Sequence, residues 1–507
     1  MKLNYKRTIL VGFAFFLISA FWQAYDATIA LTLTNKFGMN QFWSGWIMAL
    51  DNILAVFMLP LFGTLSDKHK GKSGRRTPFI RFGTILAAVA LVGLSFIDNM
   101  QLKNLDAVAT VDDPAALTTI YETQADAKLT TPDGQEFVLS ETFTKDQFVE
   151  INSKENKDDY TNYVVPARQA YASQVTQSNP LPLVLFIAVL LVILIAMATF
   201  RSPAVALMPD VTIKPLRSKG NAIINLMGTA GGILVLVLGI IFGTSAHLMS
   251  YTAFWGVIAA VMIGALIVFL TTVKEPQWVA QMRSDSIRYG IEEETEDTQE
   301  TKRTLSKQEK VSLICILLSV ALWYIGYNAV TSKYSVYATN VLQKNYNTTM
   351  LIAQAAAIVA YLPAGIVASK LGRKKTILGG VVMLSAAFGA ASFIGPNSPT
   401  IVMNLLFILA GIAWATINVN SFPMVVELSK SADVGRYTGF YYTASMSAQI
   451  VTPILSGIFM DSIGMTSLFP YASIFVALAF VTMFFVRHGD AKPTDKVSVL
   501  EQLGADD

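Results

Sequence analysis

Charge is scarce in this chain. Only 14% of its 507 residues are Asp, Glu, Lys or Arg, while 53% are hydrophobic. A soluble chain carries about 25% charged residues, so the deficit excludes an ordinary water-surrounded globule and points to a lipid bilayer as partner. The net charge of +3 is small and says nothing about nucleic acid, which is not expected as a partner. Cysteine is nearly absent: Cys315 stands alone in an apolar run, which excludes an intrachain disulfide and leaves a small buried hydrophobe. The three histidines, His69, His247 and His488, all lie outside the long apolar runs. With one thiol they supply neither metal ligands nor the base of a nucleophilic triad, so no metal, no cofactor and no enzyme chemistry is expected. Gly71-Lys72-Ser73 imitates the end of a phosphate-binding loop, but Ser66 stands where that loop needs glycine, and an apolar run rather than a strand precedes it. No nucleotide is expected either.

What is abundant is apolar length. Runs near 8–33, 43–65, 80–98, 182–203, 220–243, 251–273, 311–331, 348–369, 376–395, 401–426, 437–459 and 469–487 make twelve segments, and crossing a bilayer takes roughly 20 residues at about 1.5 Å rise each. The first run follows Lys2, Lys6 and Arg7 but far exceeds a signal-peptide core of about 7–15 residues, so it reads as a permanent helix. Basic residues fall on one side: the N-terminus, the 66–81 loop, Lys214/Arg217/Lys219, Lys370/Arg373/Lys374/Lys375 and Lys430/Arg436. The alternate loops 244–250, 396–400 and 460–468 contain no Lys or Arg, which places both termini in the cytoplasm.

The expected fold is an all-α membrane protein of twelve transmembrane helices. Residues 1–273 form a first six-helix bundle, 274–310 a cytoplasmic linker, 311–487 a second bundle and 488–507 a cytoplasmic tail. The extracytoplasmic insert at 99–181, between helices three and four, holds thirteen acidic against six basic residues and a Pro132-Asp133-Gly134 turn flanked by strand-like pieces. An ordered subdomain and a partly disordered acidic loop remain equal alternatives. The linker carries the acidic run Glu292 to Asp297, then Ser306-Lys-Gln-Glu309, which predicts a capping box opening helix seven.

The halves repeat. Gly63…Asp67…Gly74-Arg75-Arg76 after helix two is answered by Gly365…Lys370…Gly372-Arg373 after helix eight, and Pro203…Asp210…Arg217 after helix four by Pro423…Glu427…Arg436 after helix ten. An acidic residue closing a helix, then glycine and paired arginines, resembles the signature loop of the major facilitator superfamily. The fuller pattern, Asp67…Gly74-Arg75-Arg76-Thr-Pro78-Phe-Ile80 with Pro203 to Asp210, is similar to the glycoside-pentoside-hexuronide/cation symporters and their sucrose/proton relatives. The resemblance implies two bundles rocking about a midplane site, with a cytoplasmic gate built from Asp67, Arg75, Arg76, Asp210, Arg217, Glu427 and Arg436, in which the Asp67 region meets the start of helix eleven when closed. It also implies a bacterial plasma membrane. Two departures stand out: Leu59 precedes Pro60 where melibiose-type sodium symporters carry aspartate, and Val205 stands where sucrose-type symporters carry an arginine.

Intramembrane carboxylates mark function, because each costs at least about 2.5–3.5 kcal/mol unless paired or wet. Asp26, seven residues from Leu33, and Asp51, eight from Trp43, share one depth of roughly 10–12 Å. They repel each other, so one can hold a proton and couple an ion gradient. Around them, hydroxyl-matching amides and ring faces suit a sugar: Gln23 and Tyr25 in helix one, Asn52 in helix two, Trp323, Tyr327 and Asn328 in helix seven, Trp414 and Asn418 in helix ten, Tyr441 and Gln449 in helix eleven. The expected function is proton-coupled uptake of a small molecule, a glycoside or oligosaccharide, by alternating access. Two alternatives stay open: an exporter of amphipathic compounds, with a cavity rich in the 19 Met and 30 Phe, and a receptor that binds through the insert.

Overall fold

Local caps set where the helices begin. In the computed structural model, which describes residues 3–213, 216–290, 306–428 and 434–488, Asn4 accepts from the Arg7 amide to open α1 (Tyr5–Leu31), and Asn40 accepts from the Trp43 amide to open α2 (Gln41–Lys68). α3 (Thr77–Asn104) starts with Pro78 in its first turn. After the insert come α9 (Leu181–Val211), α10 (Arg217–Phe242) and α11 (Thr252–Thr272). A short helix, α12 (Glu275–Arg288), leads into the linker, whose acidic run lies outside the described residues. Ser306 and Glu309 then form the reciprocal capping box of α13 (Lys307–Asn340). α14 (Tyr346–Leu371), α15 (Arg373–Ala391), α16 (Thr400–Val426), α17 (Val434–Ser462) and α18 (Leu468–Phe484) complete the chain.

These twelve long helices form two six-helix pseudo-repeats. In the first half α1 packs on α10 and α11, and α9 on α2 and α3; in the second α13 packs on α17 and α18, and α16 on α14 and α15. Each pairing recurs six helices later, as does α3 on α11 in α15 on α18. Across the halves α2 meets α17, α10 meets α14 and α1 meets α13.

Several helices outrun their apolar windows. α1 continues through a π-helical turn at Thr32–Lys36, and α13 runs nine residues past the expected end at 331. The extra turns are covered by protein instead of lipid, so they tolerate charge: Lys36, Asp98 and Lys333 are all fully buried. Asp26 and Asp51 are therefore not the only charged residues deep in the protein. The window ended where polarity began, but polarity marks the end of lipid contact and not the end of a helix.

The insert is ordered. α4 (Pro114–Gln124), α5 (Leu139–Thr142), α6 (Lys145–Val149), α7 (Lys157–Asp159) and α8 (Val165–Ser178) surround a hairpin of β1 (Lys128–Thr130) and β2 (Glu136–Val138), registered Leu129 to Phe137. They share a core of Leu105, Leu117, Ile120, Phe148, Tyr160 and Val164, which also takes in Leu248 from the loop before α11. A buried Arg168 holds the entry of the chain by donating to the carbonyls of Val108 and Val111. Of the two alternatives, an ordered subdomain is what forms, because this segment has enough aromatic and aliphatic residues to close its own core.

Candidate functional site

Midway along the bundle, between the halves, lies a cavity of about 520 Å³. A second, of about 170 Å³, adjoins it, and Trp22, Asp26, Arg201 and Thr331 line both. Of the residues expected to bind substrate, Gln23, Tyr327 and Trp414 line the larger cavity, while Asn52, Asn328 and Gln449 line the smaller together with Asp51, expected to couple an ion. Asp26 and Asp51 therefore face one space, as their equal depth implied. The Asn52 amide donates to Asp51 Oδ1 at 2.8 Å. Arg201, on α9, places its guanidinium 5.7 Å from the Trp22 ring centre. Tyr327 and Trp414 stack at 3.6 Å with their planes 6° apart and share the cavity wall. Gln354, on α14, donates to Gln23 Oε1 at 2.7 Å across the halves.

Four expected residues lie elsewhere. Tyr25 sits roughly 100° around α1 from the Asp26 face, and its ring packs among Phe21, Trp22, Leu94 and Ile193 inside the first half. Trp323 is completely enclosed in the core, one turn from Tyr327. Tyr441 is buried between α16 and α17, sharing a 2.9 Å hydrogen bond with Ser421. Asn418, one turn past Trp414, lines neither cavity. Spacing alone groups residues on a helix face without saying which face turns to the cavity. Arg201, Gln354, Asn225, Tyr346 and Tyr361 line the larger cavity and were missed. Arg201 could have been found as the one basic residue inside the fourth apolar run.

At the end carrying the basic loops, ion pairs close within each half. Arg76 binds Asp67 at 2.5 Å and Asp210 at 2.9 Å, Arg75 reaches Asp210 at 3.5 Å, and Arg373 binds Glu427 at 2.5 Å in the second half. Glu275, buried at the start of α12 and not anticipated from sequence, accepts from the amides of Arg75, Arg76 and Thr77 and from the Thr77 hydroxyl, at 2.6–2.9 Å. Gly74 makes this possible: its φ is +107°, and a Cβ there would lie 2.3 Å from the Glu275 carboxyl. Arg217 ties down the end of α9 through the carbonyls of Pro209 and Thr212. Arg436 lies over Phe440 at 5.4 Å, while Asp67 is engaged by Arg76 in its own half.

At the opposite end, which carries the insert, bonds run between the halves. Asn35 and Asn340 exchange amide hydrogen bonds of 2.7 and 3.1 Å. Asp461 on α17 caps the start of α2 by accepting from the Gln41 and Phe42 amides, and Lys333 donates to the Gln41 carbonyl at 2.8 Å. Tyr346 and Asn347 both engage Thr244. Beside this seam a buried Lys36–Asp98 pair, 2.5 Å apart, sits with its ammonium 3.9 Å from the Tyr251 ring centre.

The twofold repetition and the midline cavity agree with what the chain is similar to. Residues 10–107 match the family described as MFS/sugar transport protein, and residues 339–503 match the Major Facilitator Superfamily. Along 99% of both chains the structure is similar to the inward open conformation of the xylose transporter XylE from E. coli, with a TM-score of 0.57 at 15% identity. The fold is that of the major facilitator superfamily. Other solved structures of similar fold include the nucleoside transporter NupG, at a TM-score of 0.51 and 15% identity over 95% of this chain and 99% of that one. A bacterial homologue of the iron transporter ferroportin in its inward-facing state gives 0.57 at 12% identity over 95% and 99%. Among curated proteins, the MFS-type transporters ppzB of Metarhizium rileyi and Metarhizium majus are 24% and 26% identical. Those matches cover 27% of this chain and less than a third of either relative's length, 28% and 30%.

Proposed function

We propose that this chain is a secondary active transporter that couples proton movement to uptake of a polyhydroxylated small molecule, a glycoside or oligosaccharide. One observation carries the reading: Asp26 and Arg201 line both cavities between the two halves, with Asp51 facing them. Carboxylates at this depth are costly unless they serve an ion path. An arginine sharing their space gives each carboxylate a partner when deprotonated, so proton uptake and release exchange that pairing. A cavity of this size lies within the roughly 300–1,000 Å³ range of small-molecule sites, and its amides Gln23 and Gln354 with the Tyr327–Trp414 stack suit hydroxyl groups on an apolar ring. The xylose and nucleoside carriers of like fold also handle polyhydroxylated molecules by name. The amphipathic-exporter reading would need a lining dominated by Met and Phe; the main cavity takes Phe15, Met350, Phe388 and Phe407 alongside a larger polar set.

We read the end with the basic loops as cytoplasmic, with both termini inside and the plasma membrane as the host bilayer; the one-sided distribution of Lys and Arg supports this. With bonds crossing the halves at the insert end and closing within halves at the other, the conformation reads as cytoplasm-facing. The motif pattern around Asp67–Ile80 supports a place in the glycoside/cation symporter branch as part of this proposal. The test is counterflow in proteoliposomes with labelled mono- and disaccharides, with and without a pH gradient. Asp26→Asn is expected to abolish accumulation while leaving exchange. Accumulation that survives under an imposed proton gradient removes Asp26 as the coupling group.

A further inference from the structure

None of residues 99–181 lines either cavity, yet the insert does not merely sit on the half that contains it. It is fixed to the first half three ways. Its core takes in Leu248, the Tyr160 ring stands edge-on to His247, and Gln101 on α3 donates to Thr176 at 3.1 Å. α8 also lies directly on the turn after α1, where Gly38, at φ +64°, leaves no room for a side chain against Gln169 and Ser173. The insert must therefore move with the first half.

It nevertheless touches the second half at two separate loops. The hairpin tip reaches the loop between α17 and α18: the Thr466 amide donates to the Pro132 carbonyl at 3.0 Å, and a Cβ on Gly134 would lie 2.1 Å from the Ile463 carbonyl. Both partners at this crossing, Gly134 and Gly464, are glycines with positive φ. Some distance away, Asn397 in the loop between α15 and α16 donates to Asp158 at 2.7 Å. That loop is itself held by Lys344, which donates to the carbonyls of Pro396 and Ser398. Gln169 then links the insert to the seam, donating to the same Asn35 oxygen that accepts from Asn340.

We infer that the insert is a latch: by gripping the second half at 463–466 and at 397, it holds the insert end closed, and opening of that end requires both grips to release. The inference rests on the alternating-access reading above. The grips are a few hydrogen bonds with exposed surroundings, strong enough to bias an equilibrium and weak enough to release. They set how often the cavity opens on the insert side without changing what the cavity binds.

The test uses spin labels on the full chain in proteoliposomes, at Ala246→Cys in the first half and Thr400→Cys in the second, both exposed, in a Cys315→Ala background. Asp158→Ala, a change at an exposed side chain, is expected to raise the parted-to-closed ratio about two- to tenfold, the span of one lost hydrogen bond. Gly134→Leu, which cannot pass the Ile463 carbonyl, is expected to raise it about tenfold or more. Distance distributions unchanged from the parent in both variants overturn the latch. Counterflow of the labelled sugars in the same vesicles keeps the two proposals apart. Normal counterflow with unmoved distances sinks the latch and leaves transport standing, whereas shifted distances with no counterflow in any form support the latch and sink the transport reading.

Discussion

The two ends of the bundle use polar groups in opposite ways. At the insert end, Asn35–Asn340, Asp461 at the start of α2, and Lys333 on Gln41 all join one half to the other. At the basic end, Arg76 with Asp67 and Asp210, and Arg373 with Glu427, stay within their own halves. The former bonds tie the two halves to each other; the latter tie helices together inside one half. The second half lacks an acidic counterpart of Asp67, since Lys370 occupies that place, and among the described residues its basic end carries the Arg373–Glu427 pair where the first half has the Asp67–Arg76–Asp210 fork.

The sharpest way to break the contrast is to part the insert end by packing alone. Gly457 on α17 abuts the Gln41 carbonyl, where a Cβ would come within 2.4 Å of backbone. Gly457→Leu is expected to destabilise the closed insert end by about 1–3 kcal/mol, read as wider spin-label distances there with no change in thermal stability of the isolated halves' cores. Distances that stay at parental values would mean the seam can shift to absorb the side chain.

An effect of similar size but confined to the basic end is expected from Glu275→Ala. It strands the buried amides of Arg75, Arg76 and Thr77, a loss of about 1–3 kcal/mol spread over the loop that positions Arg76. Thermal unfolding should shift down and cysteine labelling near Asp67 should speed up, while the insert-end distances stay fixed. Movement at both ends would show that the two are one mechanical unit.

The smallest effect concerns pH. His247 lies in the loop under the insert with its Nε2 unpartnered, and burial, then the nearby Arg168 charge, pushes it down to about 4. A histidine held neutral this way contributes stability above its ordinary value of about 6.5, and that contribution is lost as pH falls from there towards 4. Insert docking, followed by limited proteolysis within 99–181, should weaken over that window, with Arg168 and Tyr160 the groups facing the ring. His247→Phe should flatten the response; an unchanged response assigns it to the insert's carboxylates.

Much was legible in the sequence because a bilayer permits few solutions. Apolar runs of the right length, the sidedness of Lys and Arg, and the Asp67–Arg76 and Pro203–Asp210 echoes determine the helix count and the repeat, since each follows from local composition. So did the shared depth of Asp26 and Asp51, because rise per residue is fixed along a helix. What only the tertiary structure decided is which side of each helix meets the cavity. Tyr25 and Gln23 are two residues apart in α1, yet one faces core and the other faces the site. Likewise Lys36, Asp98 and Lys333 became buried because the insert and the opposite half cover helix ends that composition marks as the limit of the membrane. Rotation of a helix and coverage of its ends depend on partners distant in the chain, and no window of neighbouring residues carries that information.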